Sequence, residues 1–362
     1  MAKILLKNGR VWDGEKFYFA DVLTDGGRVV KIAEKICQDA DFTMDAAGKT
    51  VSAGLIDMHT HLRGLSSDDI GAQAEMSSFP FGVTAVADAE GVRGDKSLLD
   101  SFLVETVVFA KVPIRNNEPD LDAALRKLQE YGDRAVGVKV FFDTGASEVR
   151  DAVPLQRISE FAGKNHLIVM VHSTNSPTSM SEIVRTLRKG DILTHVFHGG
   201  VHNASEESYK SLLEAKEKGV ILDLGFEGFV HTDFQLFEDA VKAGIWPDVI
   251  STDLTKVSLN TRGGRYGLTL CMSAALKAGM SEEAIFRAVT SAPAKALGKE
   301  KEWGYLKEGA CADIAVLERT KEGGFALTDM FGHSIRSEQG YQCVLTIADG
   351  QVAVCDSDSG KF

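Results

Sequence analysis

The chain has 362 residues, 44% of them hydrophobic, and a formal net charge of −12. That apolar content supports a sizeable core and argues against global disorder, and the length allows one large domain or two smaller ones. No basic cluster marks a nucleic-acid partner, and no apolar run approaches the roughly 20 residues that a membrane span needs.

The opening residues, Met1 to Gly9, turn polar too soon for a signal peptide. The acidity fits a soluble cytoplasmic protein. Five scattered cysteines (Cys37, Cys271, Cys311, Cys343 and Cys355) contain no CxxC pair. They indicate a reducing compartment and neither a disulfide framework nor a thiolate zinc site.

Residues 1–50 read as short strands. Ile4-Leu5-Leu6, Gly9 to Trp12 and Arg28 to Ile32 are separated by Asp13-Gly14 and Asp25-Gly26-Gly27, a hairpin signal. The other end is alike: Ala312 to Leu317, Val344 to Ala348, then Asp349-Gly350 and Gln351 to Val354. The two ends are therefore expected to build one small β-sandwich domain from residues 1–54 and 301–362, with 55–300 inserted between them.

The middle alternates. Apolar strand candidates lie at 55–61, 83–88, 103–112, 135–142, 167–173, 191–197, 219–225 and 247–253, with amphipathic stretches between most of them. Eight such alternations predict a (β/α)8 TIM barrel. The competing open, doubly wound sheet lacks a GxGxxG opening a helix after a strand.

In such a barrel the chemistry collects at the C-terminal ends of the strands. The first strand ends in His59-Thr60-His61, and side chains at i and i+2 point the same way. Two imidazoles on one face make half of a metal site. The fourth strand carries Lys139 inside an apolar run, the fifth ends in His172, the sixth contains His195, and the eighth ends in Asp253.

Each has a bland alternative. Lys139 could snorkel to water, His172 and His195 could be hydrogen-bonded core residues, and Asp253 could cap a helix. Independent accidents do not explain all of them together on strands one, four, five, six and eight. Two divalent cations need several ligands and a bridging group. A free ammonium would repel them, whereas a carbamate formed on Lys139 with CO2 is an anion that could bridge both. Desolvation in an apolar strand lowers the amine pKa and frees the nucleophile for that reaction.

This pattern resembles the amidohydrolase superfamily of metal-dependent hydrolases. The resemblance rests on Gly54 to His61, Lys139, His172, His195 and Ser251-Thr252-Asp253, with Ser291 to Gly298 and Gly304 to Leu317 matching its barrel-to-β-domain junction. It covers nearly the whole chain, in order. In the branch with a carbamylated lysine, which includes dihydroorotases and hydantoinases, the resemblance implies His59, His61 and Asp253 on one metal. It implies His172 and His195 on the other, Lys139 between them, and a metal-bridging hydroxide that attacks a carbonyl. Zinc is the favoured ion, although the ligand set would also accept manganese or iron.

The substrate is less well marked. His61-Leu62-Arg63 resembles the dihydroorotase start, where the arginine binds a substrate carboxylate. Dihydroorotases continue with Glu-Pro-Gly, whereas this chain reads Gly64-Leu65-Ser66, and their asparagine-bearing loop is Ala87 to Gly91 here. Hydantoinases place a tyrosine after strand four, where Phe141-Phe142-Asp143 stands.

Thr261 to Thr269, Gly190 to His195 and Pro247 to Asp253 resemble the group named amidohydrolase or deacetylase, which acts on small N-acyl or O-acyl acids. One departure is Gly225-Phe226-Glu227-Gly228, where that group commonly has Gly-His-Gly. His231 is expected at the surface and His198 and His202 at the rim, while Arg115 receives no role.

All six expected ligands are present, which favours an enzyme over a catalytically silent relative. An adenine-type deaminase leaves Arg63 without a task. The expectation is a hydrolase of small carboxylate-bearing substrates, acting on an amide, an ester or a cyclic amide, and assembled as a homo-oligomer.

Overall fold

The computed structural model describes residues 2–262 and 264–356. Its centre is a curled parallel sheet of seven strands in sequential order: Leu55–Thr60, Val83–Asp88, Glu105–Lys111, Ala135–Phe141, Ile168–His172, Ile192–Thr194 and Ile221–Asp223. The eighth position is filled by an extended segment. Val249 bridges Asp223 in parallel, and Leu254 bridges Thr60 in parallel. The Asp253 amide donates to His59 O at 2.8 Å, so this segment joins the seventh strand to the first and closes the barrel.

The last three strands are much shorter than their apolar runs predict, the sixth and eighth for a backbone reason. The sixth stops at Thr194 because His195 takes φ +61°. The eighth forms only single bridges around Asp253, which takes φ +52°. The left-handed region is incompatible with a continuing strand.

Alternation along the strands sorts the barrel into two cores. Ala85, Ala87, Val107, Phe109, Met170, Ile192 and Val249 pack together in the lumen, capped below by Leu297 and Trp303. The intervening Val86, Val108, Val138, Val140, Val171 and Leu193 pack outward against the helices. Lys139, between Val138 and Val140, therefore has lumen parity. The helices start where side chains satisfy their first amides: Asp120, Ser179, Asp233 and Ser281 each cap one.

The two chain ends meet in one eight-stranded sheet. Thr50–Ala53 pairs in parallel with Ile4–Trp12 and antiparallel with Ile314–Thr320. Ile4, Leu6, Val11, Val316 and Ile347 share its core. Trp12 docks this sheet on the barrel, with Nε1 donating to Thr290 Oγ1 at 2.9 Å. The C-terminal hairpin Phe325–Thr328/Ser334–Ser337 lies apart from that sheet, and its Ile335 joins the barrel-side core. No helix among the described residues is long and apolar enough to cross a membrane.

Candidate metal centre

The six residues expected as ligands converge, all buried, at the C-terminal mouth of the barrel. Five of them fall into two clusters, one of His59, His61 and Asp253, the other of His172 and His195 joined by His231, which was not among the six. Within each cluster the ligand atoms lie within 4.8 Å of one another. Lys139 Nζ lies 2.9 Å from His59 Nε2 and 3.5 Å from Met170 Sδ.

Hydrogen bonds behind the rings fix which nitrogens carry protons. Thr194 Oγ1 donates to Asp223 Oδ2 at 2.7 Å, so it accepts from His59 Nδ1 at 3.0 Å. Ser66 Oγ donates to Asp88 Oδ2 at 2.9 Å, and accepts from His61 Nδ1 at 3.0 Å. His195 Nδ1 donates to Gly225 O at 2.8 Å. His172 Nε2 donates to Asp143 Oδ2 at 3.2 Å, which leaves Nδ1 for a ligand. Every ring is thus anchored from outside, with its remaining lone pair turned inward.

What those lone pairs face is the decisive geometry. His59 Nε2 and His61 Nε2 lie 3.2 and 3.0 Å from Asp253 Oδ1, and His195 Nε2 lies 3.8 Å from Oδ2. Burial pushes His59 down to about 4 and His195 well below the usual imidazole range, so both rings are neutral at physiological pH. Burial alone would raise Asp253; positive charge or a donated proton among His59, His61 and His195 outweighs it and holds the carboxyl well below the usual carboxylate range, so an ionised Asp253 calls for a cation among these groups. Lone pairs and an ionised carboxylate pointing at one another repel unless a cation lies among them. Buried His195 Nε2 has no hydrogen-bond partner among the described residues. The donor set, imidazoles with a carboxylate, suits a divalent transition metal.

Burial pushes the Lys139 ammonium down to about 8, although Asp253 and Asp223 partly oppose it. Asp57, beneath His59, accepts from Thr252 N and Oγ1 at 3.1 and 2.6 Å. Burial raises its carboxyl to about 7.

Two expectations need correction. His231 is turned inward and not surface-exposed: its ring centroid is 4.2 Å from that of His195, and its Nε2 is 3.5 Å from Asp253 Oδ2. His198 is fully buried, with both ring nitrogens unpartnered among the described residues, and so does not sit at a wet rim. His202 is exposed, as expected, beside Glu206. Arg63 is exposed, and its side chain has no partner among the described residues. Arg115 is also exposed.

Sequence reasoning assigned no role to Asp143, Asp223, Asp88 or Ser66, which orient the rings. Three of these are acids at or just past strand ends, and that position was the available signal.

The sequence pattern of the amidohydrolase family matches residues 50–351. The chain belongs to that family. It is 28% identical to a deacetylase of Enterococcus faecalis over 377 residues, covering 96% of this chain and 98% of that one. It is 26% identical to a 5-methylthioadenosine/S-adenosylhomocysteine deaminase of Thermococcus onnurineus over 411 residues, covering 98% and 95%. A crystal structure of a dihydroorotase superposes over all of both chains with a TM-score of 0.86 at 24% identity. These relatives make the chain an enzyme of a hydrolase family that acts on carbon–nitrogen bonds, with different substrates named among them.

Proposed function

We propose that the chain is a metal-dependent hydrolase that removes an N-acyl or O-acyl group from a small carboxylate-bearing substrate. The observation that carries this reading is the convergence of the His59, His61 and His195 ring nitrogens on the Asp253 carboxylate in a buried barrel mouth. The match to a deacetylase along nearly its whole length supports the acyl class.

In this reading His59, His61 and Asp253 hold one divalent ion, with zinc favoured. His172 and His195 would hold the second, and Lys139, as its carbamate, would supply an anionic ligand between them. Ions held there would polarise the scissile carbonyl and lower the pKa of water at the site towards neutrality. Asp253, kept ionised, takes the proton of the attacking water and returns it to the departing nitrogen or oxygen as the acyl bond breaks. Asp223 and Ser66 keep His59 and His61 in the tautomers that leave Nε2 free. Arg63, with no partner among the described residues, would take the substrate carboxylate through a two-bond fork. The same reading takes 55–300 as the catalytic barrel and 1–54 with 301–362 as its supporting β domain.

The test is a hydrolysis screen with zinc and bicarbonate present. It covers N-acyl amino acids, acylated hydroxy acids, cyclic amides and adenine nucleosides, each acid paired with its neutral amide. Preferential turnover of acylated acids, weakened in Arg63→Met, is the expected result. Ring opening without deacylation would move the assignment to cyclic amides, and ammonia release from adenine would make it a deaminase.

A further inference from the structure

We infer that His231 is a third imidazole ligand of the metal position formed by His172 and His195. The inference rests on the binuclear reading above and adds to it a residue from the loop after the seventh strand.

Three observations carry it. The ligand atoms of His172, His195 and His231 all lie within 4.8 Å of one another, as closely grouped as those of His59, His61 and Asp253. The His231 ring also lies 4.9 Å from the His172 ring, nearly perpendicular to it, and its Nε2 reaches towards Asp253.

Second, the ring is held from behind in the same manner as the other four. Nδ1 lies 3.2 Å from Thr174 Oγ1, so with Nδ1–H donated there Nε2 presents its lone pair to the centre. An outer hydrogen bond on the distal nitrogen is the usual way a ligating histidine is oriented.

Third, the loop backbone is built to deliver this residue. The His231 amide donates to Glu227 O at 3.1 Å, and its carbonyl accepts from Gly199 N at 3.2 Å. Thr232 then bridges His198 in antiparallel fashion. Its neighbours Phe229 and Val230 are exposed, 60% and 42%, while His231 turns under them into the mouth. A histidine with only a solvent role in that loop would not need an anchor on each side of its backbone and a third on its ring.

The consequence is asymmetric ligation. One position has two imidazoles and a carboxylate, while the other has three imidazoles, before any bridging group is counted. A third neutral nitrogen should tighten the second position and favour zinc or cobalt over manganese, which prefers oxygen ligands.

The experiment measures metal binding without turnover. Native protein, His231→Gln, His231→Ala and Thr174→Val are stripped and titrated with Zn2+ and Co2+ against a competing chelator. The visible absorption of the cobalt forms and circular dichroism are recorded alongside. Native protein should take up two ions. Both His231 variants should keep the first at unchanged affinity and bind the second at least 10-fold more weakly, with a changed cobalt spectrum. Thr174→Val, which keeps the imidazole, should weaken the second ion by a smaller factor.

Two ions held by both His231 variants at native affinity, with an unchanged cobalt spectrum, would overturn the inference alone. Fewer than two ions on native protein would overturn the binuclear reading and the inference with it.

Discussion

His195 and Asp253 face each other across the barrel mouth, Nε2 to Oδ2 at 3.8 Å, and both do so from left-handed backbone, φ +61° and +52°. Non-glycine residues avoid that region because Cβ crowds the backbone, and strain of this kind gathers at sites where it aims a side chain. Here it turns the chain at the end of strands six and eight, so that the imidazole and the carboxylate point along the mouth instead of along the sheet.

Asp253→Asn separates chemistry from geometry. Asparagine tolerates positive φ at least as well as aspartate, so the turn should survive. The amide cannot accept a proton, however, and its oxygen is a weaker metal ligand. Turnover should fall by roughly 10²–10⁴, while circular dichroism stays native. A variant that keeps its metals and near-native turnover would remove Asp253 from the role of base.

Gly225→Ala should disable the site from behind. Gly225 has φ +49°, and its carbonyl accepts the His195 Nδ1 proton at 2.8 Å. A Cβ there would come within 2.7 Å of that same Nδ1. The ring must shift or the backbone must move, at a cost of about 1–3 kcal/mol for overpacking of this kind. Lower melting temperature together with weakened binding of the second ion is expected. Native metal affinity in this variant would show that His195 is not held by that carbonyl in any way that matters.

Glu227 makes stability depend on pH in a predictable sense. Burial, with Asp253 nearby, pushes its carboxyl up from 4.5 to about 7. The folded state therefore binds this proton more tightly than the unfolded chain. Stability must fall as pH rises between roughly 4.5 and 7, because only the folded chain is penalised for ionising there; each pKa unit is worth about 1.4 kcal/mol. Glu227→Gln removes the penalty and can still accept the Val230 amide that Glu227 Oε2 accepts at 2.8 Å. In metal-stripped protein the variant should gain on native by a few kcal/mol across that window, read as melting temperature against pH. A pH-independent offset would contradict the assignment.

Much of this was legible in the chain because parallel strands buried on both faces must be continuously apolar. A lysine or histidine inside such a run is therefore conspicuous. Strand four is predicted at 135–142 and runs Ala135–Phe141. Lys139 stands out within it for the same reason that it is buried. His231 was hidden because it lies in a polar loop with no period, where nothing local says which way a side chain turns. Its position depends on Gly199 and Thr174, distant in sequence and supplied by the loops after strands six and five.

Lys139 carries the last prediction. It is 0% exposed, forms no ion pair among the described residues, and hydrogen-bonds His59 Nε2 at 2.9 Å. With its ammonium brought down to about 8, a useful fraction is free amine near neutral pH. That amine can add to CO2, forming an N–C bond and releasing one proton, and the product is an anion where a cation stood. Metal uptake and carbamate formation should then be coupled, since each neutralises the charge the other leaves. Stripped protein given zinc with ¹³C-bicarbonate should acquire one labelled carbon and full metal content. In buffer purged of CO2 it should take up zinc slowly or only in part. Lys139→Ala should lose most activity, and short carboxylic acids should restore some of it by filling the space with a carboxylate. Equal zinc uptake with and without bicarbonate, and no label on the protein, would mean that Lys139 works as an unmodified amine.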